Sequence, residues 1–263
     1  MNGNLISRSL INSIMSMINT TALATGIDIV IPECQLILHQ PTLLEISYLG
    51  REKFMSGIYA LNISKESIKF EDEIDLSEVS NFQLFMMVME DERTLDKKQA
   101  VQEVLSLIFP KYKISFTPRS LMFYQQEIGM ITVDDSNFNA LQEIISIAFC
   151  LNREKDEEFN YNVRESDKRA KEIADKLKRG RERVAEIKSK EAGDFILNYI
   201  SILSVGLGIP MPQLKDYTLF MLCDQVERFG MYKSWDIDIK SRLAGAKIEH
   251  EPPDWMANIH KTI

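Results

Sequence analysis

A strongly charged segment in the second half of the chain constrains its fold more than any other sequence feature. From Arg164 to Glu191 there are eleven Lys or Arg and seven Asp or Glu residues, a local charge of +4. The whole 263-residue chain carries −8, so the remainder carries −12. Such a polar segment cannot supply the interior of a hydrophobic core. The sequence therefore predicts three parts: an α+β domain over 1–155, a charged helical arm over 156–192 and a helical domain over 193–263.

The charged arm also has a thin heptad pattern. Apolar or small residues recur every seven positions in two series, Ala170, Leu177 and Val184, and Ile173, Gly180 and Ile187. This spacing is typical of a helix that packs against another helix. Because Gly180 costs about 1 kcal/mol in a helix interior, we expect the arm to become ordered only on a partner. The 164–191 helix also offers a route to a homo-oligomer.

The first 155 residues combine strand and helix patterns. The stretch GIDIVIP alternates apolar and polar residues up to Pro32, which predicts a short strand. Thr42 and Glu45 have capping-box spacing, so a helix is expected to begin there and to continue to Leu61. Apolar periodicity predicts two further helices, over 76–91 and 96–109.

Short stretches rich in β-branched and aromatic residues follow the third helix. They lie at 111–118, 120–126 and 129–135. Pro118 and Gly129 separate them, and the pattern predicts a small antiparallel β meander. A helix over 137–150, capped by Ser136, is expected after the meander.

The C-terminal part has helical patterns throughout. One helix is predicted over 194–208, beginning at Asp194 and ending at Gly208. The next, over 212–230, is the most amphipathic stretch of the chain, and its buried side is expected to carry Leu214, Tyr217, Phe220, Met221, Val226 and Phe229. A further helix with apolar Ile237, Ile239 and Leu243 is expected to end at Gly245. Together with the N-terminal part, these patterns predict a mainly α fold with a small antiparallel β meander, in which the C-terminal part is all α.

Several features predict a protein of the cytoplasm. No apolar run reaches the ~18 residues that a membrane span needs. The first twenty residues contain one Arg and resemble an amphipathic helix rather than a signal peptide. Cys34, Cys150 and Cys223 lie far apart in sequence, which predicts reduced thiols rather than a disulfide or metal site. We therefore expect no membrane contact.

Sequence motifs for common catalytic and cofactor sites are absent from the chain. There is no P-loop, no glycine-rich dinucleotide motif after a strand and no HExxH or GxSxG pattern. Gly206 and Gly208 form the only similar pair, and they are expected to end a helix. The sequence therefore predicts a non-enzymatic protein with no catalytic residue, no cofactor and no bound metal.

Two weaker chemical patterns have simpler interpretations. His250 and His260, with carboxylates between them, offer ligands of the zinc type, but a Pro-Pro pair separates them and favours a solvated tail. Asp236 and Asp238 are two residues apart and face different sides of a helix, which disfavours an acid–base pair. The acidic net charge, and the acids interleaved in the basic arm, disfavour nucleic acid as a partner.

Binding of a partner protein is the function that the residue pattern favours. The amphipathic helix and the tail after it supply candidate contact residues, namely Tyr217, Phe220, Met221, Phe229, Trp235 and Trp255. The tryptophans either pack back on the chain's own fold or anchor a partner, where Trp is enriched. The thirteen methionines likewise either fill a helical core or line an adaptable groove.

The order of four stretches resembles a group of tailed-bacteriophage proteins. They are QPTLLEISYLGREKF, FTPRSLMFYQQEIGMITVDDSNFNAL, YISILSVGLGIPMPQLKDYTLFMLCDQVERFGMYKSWDIDIKSRLAGA and DWMANIH. The group is the tail-assembly and baseplate-hub chaperone class. The resemblance implies a non-enzymatic assembly factor in the host cytoplasm that binds apolar helical segments of a tail protein, such as a tape-measure or hub protein. The alternative is a structural component of the virion, in the baseplate or tail.

Overall fold

The computed structural model describes residues 20–65, 79–90, 95–151, 195–245, 251–252 and 254–257. The N-terminal elements are α1 (Thr20–Thr25), β1 (Ile29–Ile31), β2 (Leu36–Leu38), α2 (Leu43–Leu49), α3 (Arg51–Leu61), α4 (Asn81–Glu90) and α5 (Leu95–Ile108). The remaining elements are β3 (Lys113–Thr117), β4 (Ser120–Gln125), β5 (Gly129–Val133), α6 (Phe138–Ala148), α7 (Phe195–Leu207), a 3-10 helix (Met211–Asp216) and α8 (Leu219–Leu243). The fold is mainly α with a small antiparallel β meander, as the sequence predicts.

A capping box starts helix α2. Thr42 Oγ1 accepts a hydrogen bond from the amide of Glu45, and the Glu45 carboxylate accepts one from the amide of Thr42. The predicted helix does begin here, but it is interrupted at Gly50, whose φ of 94° lies in the left-handed region. The expected single helix to Leu61 is therefore two helices, α2 and α3.

Helices α3 and α5 approach each other closely at a glycine. A Cβ on Gly57 would lie 2.6 Å from Cγ2 of Val104 and 2.7 Å from the carbonyl oxygen of Ala100. Only a residue without a side chain fits at this crossing. The contact sets α5 against α3 and buries the apolar face that the sequence predicts for α5.

The three-stranded sheet is the predicted meander, in the order β3-β4-β5 with antiparallel pairs. Its inner face carries Phe123, whose ring packs edge-on against Phe109 and Tyr112 at centroid distances of 5.1 and 6.0 Å. A separate hairpin pairs β1 with β2. These two small sheets and the helices enclose the core.

The start of α6 differs from the prediction. Asn137, not Ser136, is the residue before the helix, and its side chain makes no capping hydrogen bond. The Ser136 hydroxyl donates to Oδ1 of Asp134 at 2.6 Å, so it belongs to the turn rather than to the helix. Asn137 Nδ2 instead donates to the carbonyl oxygen of Thr132 in β5 at 3.1 Å.

The predicted helix over 212–230 is also wrong in its bounds. A short 3-10 helix covers its first residues, and α8 begins only after Thr218, whose Oγ1 accepts a hydrogen bond from the amide of Met221. The helix then runs without a break through Leu243, so the predicted amphipathic helix and the helix predicted after it are one element.

The C-terminal helices join the same core as the N-terminal part. The amide of Leu43 donates to the carbonyl oxygen of Tyr217 at 2.8 Å, beside an isolated antiparallel bridge between Thr42 and Thr218. Leu203 and Phe220 are buried in the hydrophobic cluster that the N-terminal helices form. The predicted amphipathic N-terminal helix, the 156–192 arm with its domain boundaries, the Asp194 helix start, and both His250 and His260 lie outside the described residues.

Candidate protein-interaction surface

Helix α8 has two halves with different surroundings. In the first half, Leu219, Phe220, Leu222 and Cys223 are buried. Among the residues that the structure describes, the last apolar side chain of α8 that packs against the hydrophobic core is Phe229. From Gly230 to Leu243 the helix continues for about 20 Å, at 1.5 Å per residue. We call this part the distal half of α8. Its side chains pack little against the core.

The direction of α8 is fixed where it crosses α7. Gly206 lies so close to Phe229 that a Cβ on the glycine would be 2.3 Å from Cζ of the ring. The ring therefore sits directly on the glycine backbone. Helix α7 ends one residue later, and Gly208 adopts a φ of 68°, which confirms the predicted helix end at this glycine.

Three aromatic rings cluster on the distal half. Tyr232 and Trp235 stack with centroids 6.1 Å apart, and Trp255 from the tail lies 5.3 Å from Tyr232 and 6.3 Å from Trp235. Arg228 Nη1 holds the tail in place by donating to the carbonyl oxygens of Trp255 at 2.6 Å and Ala257 at 2.7 Å. The tail thus folds back on α8.

An apolar stripe runs along the distal half. Tyr232, Trp235, Ile239 and Leu243 recur at intervals of three and four residues, which places them on one face of the helix. We call these four residues the distal stripe. Tyr232 and Leu243 are exposed, Leu243 to 83%. The tail adds Met256, exposed to 74%, so the stripe and the tail present apolar surface to solvent.

The six predicted contact residues separate into three groups. Trp235 and Trp255 contact each other and are half-buried, so each keeps part of its surface open. Tyr217, Met221 and Phe229 are half-buried, and Tyr217 and Phe229 pack against the core. Phe220 is only 1% exposed and belongs to the core, and we therefore leave it out of the interaction surface. The structure does not bring all six residues onto one face.

The predicted contact residues leave out three members of this surface. Tyr232 and Leu243 complete the distal stripe, and Arg228 attaches the tail. The spacing of Tyr232 and Leu243 from Trp235 was a usable signal, but only for a helix that continues past residue 230. The Arg228 contacts with backbone carbonyls leave no signal in the sequence.

The carboxylates of the distal half make ion pairs within the helix. Asp236 Oδ2 lies 2.7 Å from Lys240 Nζ, and Asp238 Oδ2 lies 3.2 Å from Arg242 Nε. Each pair spans four residues and so lies on one side of the helix. Asp236 and Asp238 are two residues apart, so the two carboxylates face different sides. Among the described residues, no group of three or more His, Cys, Asp or Glu is arranged to hold a metal ion.

A separate charged cluster lies between the first hairpin and α2. Nδ1 of His39 is 3.0 Å from Asp28 Oδ1, and its Nε2 is 3.4 Å from Glu45 Oε1. Lys111 Nζ lies 2.9 Å from the other oxygen of Asp28. Burial raises the pKa of Asp28. Hydrogen bonds from His39 and Lys111 lower this pKa by more than burial raises it, so the pKa is below its ordinary value. The cluster holds the hairpin to α2 and the chain after α5.

The described helices include none that is both long and apolar enough to cross a bilayer. Comparisons of the chain with protein-family models, with curated proteins and with solved structures gave no match.

Proposed function

We propose that the protein is a non-enzymatic assembly factor that binds an apolar helical segment of a partner protein through the distal stripe of α8. The single observation that carries this proposal is that the helix continues past the core with an apolar stripe on its surface. A helix that needed only to complete the core would have ended near Phe229, where the core contacts end.

The spacing of the distal stripe suits another helix as the partner. Residues at intervals of three and four form the ridge that helix–helix packing uses. Trp235 and Tyr232 are residue types that dominate binding energy at interfaces. Because Tyr232 and Trp235 stack on each other and both contact Trp255, the rings are held in place before a partner arrives, which lowers the entropy lost on binding.

The biological setting that we propose is the assembly of a bacteriophage tail. It rests on the resemblance to the tail-assembly and baseplate-hub chaperone class described above. Tape-measure and hub proteins expose long apolar helices before assembly, and such surfaces aggregate unless they are covered. The net charge of −8 helps to keep a complex of this kind in solution.

Co-expression tests this function. The chain is co-expressed with the tape-measure and hub proteins of the genome that encodes it, and the soluble fraction and co-purified protein are measured. We expect wild-type protein to keep one of them soluble and to co-purify with it. Failure of wild-type protein to bind or solubilise either one contradicts the proposal.

Two variants of α8 make the test specific to the stripe. Leu243→Glu places a charge on the distal stripe. Ile237→Glu places the same charge on the same helix, about 120° away around the axis, at a side chain that is also well exposed, to 63%. We expect Leu243→Glu to lose the partner and Ile237→Glu to keep it. Equal loss in both variants contradicts a stripe-specific contact.

Mass spectrometry of purified particles separates an assembly factor from a virion component. An assembly factor is released before the particle is complete, so its peptides are expected to be absent or far below stoichiometric amounts. Stoichiometric peptides in finished particles would instead assign the chain to the baseplate or tail as a structural subunit.

A further inference from the structure

Among the described residues, no strand pairs with the outer edge of β3, which lies at one side of the β3-β4-β5 sheet. Pro118 and Arg119 form a two-residue turn, so Thr117 and Ser120 are a hydrogen-bonded pair. Pairs in an antiparallel ladder alternate, and the N–H and C=O groups of residues in the non-hydrogen-bonded pairs point away from the partner strand. Ile114 and Phe116 are in such pairs, opposite Phe123 and Leu121. Their backbone groups therefore point outward from the sheet.

The two edges of the meander differ. At β5, Asn137 Nδ2 donates to the carbonyl oxygen of Thr132, so a side chain covers part of this edge. At β3, the backbone groups of Ile114 and Phe116 have no partner within the described part of the chain. The side chains of both residues are half-buried on the inner face, and neither is a charge that would block strand addition.

The open edge forms one wall of a groove. Opposite β3, the groove is lined by Lys98, Gln102 and Ser106, which lie four residues apart along one side of α5. Its volume is about 370 Å³. A strand added to β3 would lie in this groove, with alternate side chains packed toward Ile114 and Phe116 and the others toward solvent.

Cations surround this groove in a chain that is acidic overall. Lys98 lines it, Arg119 is in the turn at the Thr117 end of β3, and Lys113 is at the other end. Within the described residues, none of these three makes an ion pair. An incoming segment that carries carboxylates would therefore meet positive charge at both ends of the edge.

The same charges disfavour a second copy of the chain at this edge. If two β3 strands paired antiparallel about Ser115, Lys113 of one copy would lie beside Thr117 and close to Arg119 of the other. Parallel pairing would set the two Lys113 side chains against each other. Like charges at a strand pair destabilise it, so a partner with acidic side chains fits better.

We propose that the open edge of β3 binds an extended acidic segment of a partner protein, which adds to the meander as a fourth strand. The recognised chemistry is an extended backbone with apolar residues at alternate positions and carboxylates between or beside them. This site is independent of the distal stripe, and its failure would leave the proposed function untouched.

A synthetic peptide tests the proposal on the full-length protein. The probe is a fluorescein-labelled peptide, Asp-Val-Glu-Val-Asp-Val-Glu, with a blocked C-terminus, and binding is followed by fluorescence anisotropy. Two control peptides replace the acids with lysine or the central valine with proline, which cannot donate to a ladder. Hydrogen exchange with mass spectrometry then reports protection over 113–117 and, for comparison, over 129–133.

Two charge-reversal variants on α5 provide the matched comparison. Lys98→Glu changes a residue that lines the groove, whereas Lys97→Glu changes its exposed neighbour, which does not. We expect the acidic peptide to bind with protection confined to 113–117. Lys98→Glu should weaken binding by roughly threefold to tenfold, the range for one charged contact changed from attraction to repulsion, and Lys97→Glu by less than about twofold.

Four outcomes would overturn the proposal. They are absence of protection over 113–117, equal binding of the lysine or proline peptide, equal effects of the two charge reversals, and a concentration-dependent dimer that protects 113–117 without peptide. The last outcome would assign the edge to a second copy of the chain.

Discussion

Phe229 of α8 rests on Gly206 of α7, and a Cβ on the glycine would lie 2.3 Å from Cζ of the ring. This contact is where α8 leaves the core. It links the buried first half of the helix to the distal half, and it sets the direction in which the distal stripe points. The orientation of the proposed binding surface therefore depends on a glycine in a different helix.

Gly206→Ala should destabilise the protein, because the added methyl group forces Phe229 out of its position. Overpacking of this kind costs about 1–3 kcal/mol in unfolding free energy. Gly230→Ala is the matched control, since Gly230 is also helical and a Cβ there meets nothing within 4 Å. It should stabilise the protein by up to about 1 kcal/mol. Urea denaturation of both variants measures the difference, and equal effects would contradict the contact.

Loss of the α2 capping box should destabilise the N-terminal part. Thr42 Oγ1 accepts from the Glu45 amide at 3.3 Å, and removing such a cap costs about 0.5–2 kcal/mol. Thr42→Ala should lower the unfolding free energy by this amount. Ser47→Ala, an exposed position in the same helix whose hydroxyl donates only to the carbonyl oxygen of Leu44, should have a smaller effect. Thermal denaturation measures the loss of stability in each variant. An equal loss in the two variants would contradict a stabilising cap at Thr42.

The Glu45 carboxylate, which completes the capping box, makes the stability of the fold depend on pH. Burial raises the pKa of Glu45, but hydrogen bonds from the Thr42 amide and hydroxyl and the nearby His39 lower it more, so the pKa is below its ordinary value of 4.5. A carboxyl with a lowered folded-state pKa adds stability above its unfolded-state pKa, and loses it as the pH falls through the folded-state value.

Glu45→Gln should therefore lower the unfolding free energy near neutral pH and flatten its fall between about pH 5 and pH 3. Glu127→Gln is the control, because Glu127 is exposed in the loop between β4 and β5. Urea denaturation across this pH range measures both. An acid dependence in Glu45→Gln as steep as in wild-type protein would show that the capping carboxylate contributes nothing.

Deletion of the tail should uncover Trp235 without unfolding the core. Truncation after Lys247 removes Trp255 and the carbonyl oxygens that Arg228 Nη1 contacts. The core lies elsewhere, so the unfolding free energy should fall by about 1–3 kcal/mol, as for the loss of two aromatic contacts at about 0.5–1.5 kcal/mol each. Trp235 fluorescence should shift to longer wavelength. A truncated chain that fails to fold would instead make the tail part of the core.

Cys34 should resist thiol reagents in the folded protein. Its side chain is buried, and burial raises its pKa to about 12, so almost no thiolate is present near pH 8. Labelling with Ellman's reagent should therefore be slow at Cys34 and faster at the less buried Cys150. Mass mapping of the labelled peptides checks the order, and early labelling of Cys34 would contradict its burial.

Local sequence signals predicted several elements correctly. The Thr42 and Glu45 spacing located the start of α2, because a capping box is completed by residues three apart and needs no tertiary contact. The meander was also predicted, since its strands are bounded by Pro118 and Gly129 and joined by short turns. The fold class follows from these elements and the helical periodicity of the rest.

Other features depend on contacts between distant residues and were missed. The true start of α8 is set by Thr218, which also forms a bridge with Thr42, and nothing near residue 218 signals that partner. The amphipathic pattern did predict a buried side that includes Phe220, but Phe220 shares its helical spacing with the half-buried Tyr217 and Met221, so how deeply each is buried follows only from where the first half of α8 packs. The open edge of β3 likewise appears only once the strand order is known.

Hydrogen exchange across α8, in the free protein and in its complex with the co-purified tape-measure or hub protein, tests the central claim most directly. In the free protein, we expect faster exchange over 230–243 than over 219–229, because the distal half packs little against the core. In the complex, protection should appear over 230–243 while 219–229 stays unchanged. Protection elsewhere with no change over 230–243 would contradict the claim that the distal stripe is the binding surface.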